Sequence, residues 1–356
     1  MRPGTRSTSP AGGRLEGARP KGNEPAEVLR VENLVKHFPG HGRRRAAPPV
    51  RAVDGVSLSL GTGETLGLVG ESGCGKTTLA RLVVRLLEPT RGRVVLGGRD
   101  ITALRDRELR AVRRDLQIVF QDPFASLNPR MTVGAIVAQP LRIHRRYRAS
   151  GGPDRVAELL ELVGLDAEYG HRFPSELSGG QRQRVGIARA LALGPGVVVL
   201  DEPVSSLDVS VRAQIVNLLA DLQAQLGVAY LFIAHDLAVV RHVADRVAVM
   251  FRGRIVESGP AEQIYTRPQH PYTVALLAAV PVPDPTQRAR RWHHGSAPAA
   301  ADDGVIGLPG SNPTLGGCCY RDRCARALDR CRVDDPAMRE TSDGHAVACF
   351  NPEPGN

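Results

Sequence analysis

Lysine is nearly absent from this sequence: of 47 basic residues only Lys21, Lys36 and Lys76 are lysines, and arginine supplies the rest. Where arginine serves everywhere else, a lysine at position 76 marks a place that takes a compact ammonium and not a planar guanidinium fork. Long apolar runs are missing too. The longest, 228–234 and 274–280, fall far short of the ~18 residues a membrane-spanning helix needs, which reads as a soluble chain. Residues 1–26 have no apolar stretch of the kind an export signal carries and are rich in Arg, Pro, Gly and Ser, a composition expected to stay disordered. There is no internal repeat and no heptad run. Cysteine is confined to Cys74 and to the last 39 residues, where Cys318, Cys319, Cys324, Cys331 and Cys349 cluster. Without an export signal the compartment is read as reducing, so that cluster points to a metal rather than to disulfides.

Acidic residues are also too few to balance the basic ones, leaving a net charge of +10. Residues 1–51 carry +7 of this, mostly in the N-terminal tail and the Arg43-Arg44-Arg45 loop, so the remaining 305 residues are almost balanced. Charge in that position reads as a solvated surface and not as a reader of nucleic acid. With 42% hydrophobic residues, 356 residues suffice for one large domain and a smaller one.

What is present is organised around Gly70-Glu71-Ser72-Gly73-Cys74-Gly75-Lys76-Thr77, set between a strand-like run (64–69) and a helix-like run that starts at Thr78. In a strand-loop-helix context the glycines let backbone N–H groups point at phosphate oxygens, and the helix adds its positive end. Lys76 is then placed to neutralise β- and γ-phosphate charge, and the Thr77 hydroxyl to ligate Mg²⁺. Further along, 116–120 reads as a strand delivering Gln121, and 123–180 as a helical insertion whose clearest helix spans 154–163. Ser178 is placed as the N-cap of a helix, with Gly179, Gly180 and Gln181 at its open end. The buried run 197–200 ends in Asp201-Glu202, a pair suited to Mg²⁺ and to a general base. Asp208 precedes a helix whose apolar face is expected at Val211, Ile215, Leu218, Leu222 and Leu226. The strand 229–234 presents His235, either a structural histidine or a γ-phosphate contact. Phe38 either stacks on a base or closes a strand. Residues 247–251 and 254–257 read as a hairpin, and 281–317 as a linker.

In this order the motifs resemble the nucleotide-binding subunit of ATP-binding-cassette (ABC) transporters over about residues 27–280. The resemblance implies an α/β P-loop NTPase with an antiparallel β subdomain and a helical subdomain (about 123–180) inside a cassette at 27–260, then an extension at 261–317. It implies an ATPase with ATP and Mg²⁺ bound by Gly70, Glu71, Ser72, Gly73, Cys74, Gly75, Lys76, Thr77, Thr78, Gln121 and Asp201, with Thr77, Gln121 and Asp201 at the Mg²⁺. Glu202, His235, Lys76 and Gln121 become the catalytic set, Phe38 the adenine platform and Ser205 to Asp208 the D-loop. Leu177, Ser178, Gly179, Gly180 and Gln181 form the signature that meets the nucleotide of a second subunit, so a lone copy is expected to hydrolyse poorly.

Residues 120–133 and 270–273 are similar to the oligopeptide/dipeptide and nickel importer branch, nearest the second ATPase of its pair. That branch implies two membrane permeases, a paralogous ATPase or a second copy, a substrate-binding protein, and a place on the cytoplasmic face of the membrane. Nickel or another small solute remains an alternative cargo, and a ribosome- or DNA-acting cassette protein is the rival class. The branch also carries a cysteine quartet, matched by Cys318, Cys324, Cys331 and Cys349 in a small tail at 318–356. Its implied content is a [4Fe–4S] cluster, with Zn²⁺ the alternative and Cys319 a rival first ligand.

Overall fold

A computed structural model describes residues 26–40, 49–279, 316–342 and 344–354. The N-terminal tail, the arginine loop at 43–45 and nearly all of the expected linker lie outside them. The strands are β1 (Glu27–Phe38), β2 (Val50–Gly61), β3 (Thr65–Val69), β4 (Arg91–Leu96), β5 (Arg99–Asp100), β6 (Leu116–Val119), β7 (Val197–Asp201), β8 (Ala229–Ala234), β9 (Arg246–Phe251), β10 (Arg254–Pro260), β11 (Arg339–Ser342) and β12 (His345–Val347). They form two sheets. One is antiparallel in the order β2-β1-β4-β5; the other runs β11-β12-β10-β9-β3-β8-β7-β6, with β9, β3, β8, β7 and β6 parallel.

The central strands β3, β7 and β8 are buried at every residue, as continuous apolar runs in a two-sided parallel sheet should be. Their alternation sorts the core. Leu66, Leu68, Val197, Val199, Leu231 and Ile233 face one layer with Leu29, Leu34, Leu60 and Leu79. Val69, Val198, Leu200, Tyr230 and Phe232 face the other, shared with the helices Val133–Ile143, Pro153–Leu162 and Gly179–Leu191. Full burial of a side chain such as Phe232 contributes roughly 1.5–3 kcal/mol.

Two features depart from the expectations above. The helix Val209–Leu226 buries Ile215, Val216, Leu219 and Leu222, whereas Val211 and Leu218 sit at the flanks and Leu226 is exposed. Either stripe fits a 3.6-residue period, and only the neighbouring helices select between them. Secondly, the cysteine-rich tail does not stand apart as a small domain. It joins the main sheet: β12 pairs with β10 through Glu257↔Val347 and Ser258↔Ala346, and β11 completes the edge.

Candidate active site

Four parallel strands that are neighbours in the sheet deliver the chemistry at their C-terminal ends, where ligands of open α/β sheets bind. β3 leads into the glycine loop, β6 into Gln121, β7 ends at Asp201 and is followed by Glu202, and β8 is followed by His235. A cavity of about 640 Å³ opens there, lined by Gly70, Glu71, Ser72, Gln121, Glu202 and His235 among the residues expected from sequence. Ser205 and Ser206, at the start of the expected D-loop, line it too; Asp122 and Leu276 complete it and were not anticipated.

The loop is shaped by what lies behind it. Gly75 has φ +110° and caps the helix Lys76–Val83, and a Cβ on it would stand 2.1 Å from the Ala52 carbonyl oxygen of β2. Only glycine satisfies both constraints. Lys76 is 4% exposed, and its Nζ donates to the carbonyls of Gly70 (2.8 Å) and Glu71 (3.0 Å), so the ammonium is parked on the rim of its own loop. Burial pushes the Cys74 thiol up, in keeping with a small packed residue.

Thr77 Oγ1 donates to Asp201 Oδ1 at 3.2 Å. Asp201 is 2% exposed; burial raises its pKa, the Thr77 bond opposes the rise and the Glu202 charge adds to it. A buried carboxylate beside a hydroxyl is an all-oxygen donor pair that suits Mg²⁺, whose charge would offset the cost of keeping Asp201 ionised. Gln121, also expected at the cation, instead donates from Nε2 to Glu202 Oε2 at 2.9 Å.

Glu202 is the point of convergence. Besides Gln121, His235 Nδ1 lies 3.3 Å from the same Oε2, and the Glu202 side chain is 11% exposed. Its backbone holds φ +47°, fixed by donation from its N–H to the Ile233 carbonyl at 2.9 Å. A non-glycine residue in that region costs of order 1–3 kcal/mol and persists where the surroundings impose it.

Other expected residues lie elsewhere on the chain. Ser178 caps the helix Gly179–Leu191 in a reciprocal box with Gln181, so the Gln181 N–H is already satisfied. Gly180 packs closely: a Cβ there would meet Val211 Cγ1 at 2.5 Å, so the valine would have to shift. Ser178 is exposed and, with Gly179, Gly180, Gln181, Asp208, Thr78 and Phe38, does not line the cavity; nor are Gly73, Cys74, Gly75, Lys76, Thr77 and Asp201 among its lining residues. Phe38 ends β1 with Lys36 Nζ 5.3 Å from its ring centroid.

The four-thiolate site expected from the spacing is not supported. All six cysteines are free, and among the described residues no three His, Cys, Asp or Glu side chains form a group able to hold a metal ion. Cys318, Cys324, Cys331 and Cys349 are electrostatic neighbours without being a ligand set; burial pushes the Cys349 thiol up to about 11, and the other three add to the rise. Cys319 pairs with Cys318 through a thiol hydrogen bond, which with burial pushes its own thiol up, while Arg254 and Arg252 nearby oppose the rise. Other contacts order the tail. Strand pairing with β10 and the contact of His345 Nε2 with Glu257 Oε1 (2.7 Å, both buried) hold it in place, and the sulfurs of Cys331 and Cys349 accept backbone N–H groups from Leu328 and Asn351.

Comparison with known proteins agrees with this geometry. Residues 53–205 match the ABC transporter family model, and residues 256–331 match the model for the C-terminal region of oligopeptide/dipeptide transporters. A Sinorhizobium fredii protein named "probable peptide ABC transporter ATP-binding protein" is 52% identical over 328 residues, covering 90% of this chain and 89% of its own. The oligopeptide transport ATP-binding protein AppF of Bacillus subtilis is 45% identical, covering 90% and 96%. Among solved structures, the dimeric ATP-binding cassette MJ0796 in a post-hydrolysis state with ADP and Pi superposes with a TM-score of 0.59 at 30% identity, over 66% of this chain and 99% of that one.

Proposed function

Because this chain belongs to the ABC transporter family and is an ATPase of the ATP-binding-cassette type, we propose that it drives the import of dipeptides and oligopeptides through membrane partners. The observation that carries the cargo is the match of residues 256–331 to the oligopeptide/dipeptide C-terminal region. Among the described residues no helix is long and apolar enough to cross a membrane. In this reading two permease subunits carry the cargo and this ATPase serves them from the cytoplasmic face. A second ATPase, paralogous or identical, supplies the signature residues Ser178–Gln181 to the opposing nucleotide, and a substrate-binding protein delivers the peptide.

In this reading Glu202 Oε2 takes the proton of the water that attacks the γ-phosphorus, the bond to the β-γ bridging oxygen breaks, and ADP and phosphate leave. Gln121 and His235 hold that carboxylate in place, and Lys76 moves from the Gly70 and Glu71 carbonyls to the phosphates. Thr77 and Asp201 hold Mg²⁺, which when bound neutralises charge on the phosphate oxygens. Lys76→Ala is expected to weaken Mg-ATP binding by roughly 10- to 100-fold, the value of one charge-assisted hydrogen bond. Titration with a fluorescent nucleotide measures it, and an unchanged Kd would contradict the cradle.

The cargo is tested by reconstituting the chain in proteoliposomes with permeases, a second ATPase and a binding protein. Peptide plus binding protein should raise ATP hydrolysis and accumulate peptide inside. Stimulation by nickel with no response to peptides would overturn the cargo and leave the ATPase standing.

A further inference from the structure

All three polar groups of Glu71, the second residue of the phosphate loop, are engaged, and two of the partners come from outside the nucleotide motifs. Its N–H donates to the Tyr272 hydroxyl at 2.9 Å. Its carboxylate receives the Arg323 guanidinium as a fork, Nη1 to Oε2 and Nη2 to Oε1, both at 3.0 Å. Its carbonyl accepts from Lys76 Nζ.

One outside partner is buried, and the other, itself half-exposed, is carried by a turn beside a buried tyrosine. Tyr272 is 1% exposed and begins the helix Pro271–Ala278, with its ring 4.6 Å from that of Phe251 and 5.5 Å from that of Tyr320. The His270 side chain caps this helix by accepting from the Tyr272 N–H at 3.0 Å. Tyr320 is buried against Phe251 at 5.2 Å and precedes the short turn Arg321–Arg323 that carries Arg323. The C-terminal segment thus reaches the loop through one aromatic stack, and both of its contacts fall on a single residue.

We infer that Arg323 and Tyr272 are positioning residues of the ATPase site: from the C-terminal segment they fix Glu71, and through its carbonyl they set where Lys76 rests before nucleotide arrives. This rests on the assignment of the loop to ATP. Freed from the clamp, the first turn of the loop is mobile, and binding must then order it. The effect falls on nucleotide affinity more than on the chemical step, because neither side chain touches the groups around Glu202.

The pair is half-exposed, at 53% for Arg323 and 42% for Glu71, so the expected change is modest. In the full-length chain, Arg323→Ala should raise the Kd for Mg-ATP about three- to fivefold with kcat within about twofold of the parent. The difference should shrink at high ionic strength, which loss of packing would not produce. Arg323→Lys should recover part of the affinity. In a Glu71→Gln background Arg323→Ala should add little, since its partner is already gone. Tyr272→Phe tests the other contact and should raise the Kd without salt dependence. Unchanged affinity in Arg323→Ala and Tyr272→Phe, or full additivity of Arg323→Ala with Glu71→Gln, would overturn the clamp. A parental chain that binds no Mg-ATP would overturn the assignment of the loop as well.

Discussion

Glu202→Gln binds Mg-ATP as the parent does and turns it over about 10²- to 10⁴-fold more slowly, ~3–5 kcal/mol in the barrier. The expectation comes from the arrangement around one oxygen. Gln121 Nε2 and His235 Nδ1 both lie within hydrogen-bonding distance of Glu202 Oε2. A glutamine keeps the size of the side chain and an oxygen that can still accept from Gln121, so the shape of the cavity persists. What it loses is the ability to take a proton. The positive φ of Glu202 is a backbone property and survives the substitution, so the strain stored there does not confuse the comparison. Nucleotide titration and single-turnover hydrolysis, run side by side, separate the two quantities. Hydrolysis at the parental rate would remove Glu202 from the proton transfer.

Glu257→Ala is expected to cost about 3–5 kcal/mol of stability, because it breaks a buried polar cluster by deleting one member and leaving the rest unpaired. Glu257 is fully buried and accepts from the Gln269 N–H (2.7 Å) and the His270 N–H (2.9 Å), and His345 Nε2 lies 2.7 Å away. Those groups belong to β10, to the approach to the helix Pro271–Ala278, and to β12. Losing the carboxylate therefore loosens the tail and the segment that carries Tyr272 together. A fall in the melting midpoint on the order of 10 °C is expected, with earlier proteolysis of the cysteine-rich tail. A midpoint within a degree or two of the parent would show that strand pairing alone holds the tail. The contrast with Arg323 and Glu71 is one of solvent: that pair is half-exposed and screened, whereas Glu257 has no water to fall back on.

In the tail, the spacing predicts a four-thiolate site, and among the described residues no group able to hold a metal ion supports it. What the structure shows there is β12 paired with β10, nearly ninety residues earlier in the chain. An expectation is displaced in the helix Val209–Leu226, where two apolar stripes share Ile215 and Leu222 and the packed neighbours choose the one with Val216 and Leu219.

By itself the sequence determined whatever is local. A strand, a glycine loop and a helix beginning at Lys76 are contiguous, so the phosphate cradle was legible, as were the strand ends that carry Gln121, Asp201, Glu202 and His235. The same holds for the hairpin at Arg252-Gly253, whose two residues both take positive φ. Only the tertiary structure decided the meetings between distant segments. Gln121 and His235 find Glu202 because β6, β7 and β8 are adjacent in the sheet. Tyr272 and Arg323 find Glu71 because an aromatic stack on Phe251 brings them there, across up to 252 residues of chain. Residues 270–273 were visible as a motif, but no periodicity records which loop a tyrosine hydroxyl will meet. That depends on the packing of the whole sheet edge, which no single stretch of chain encodes.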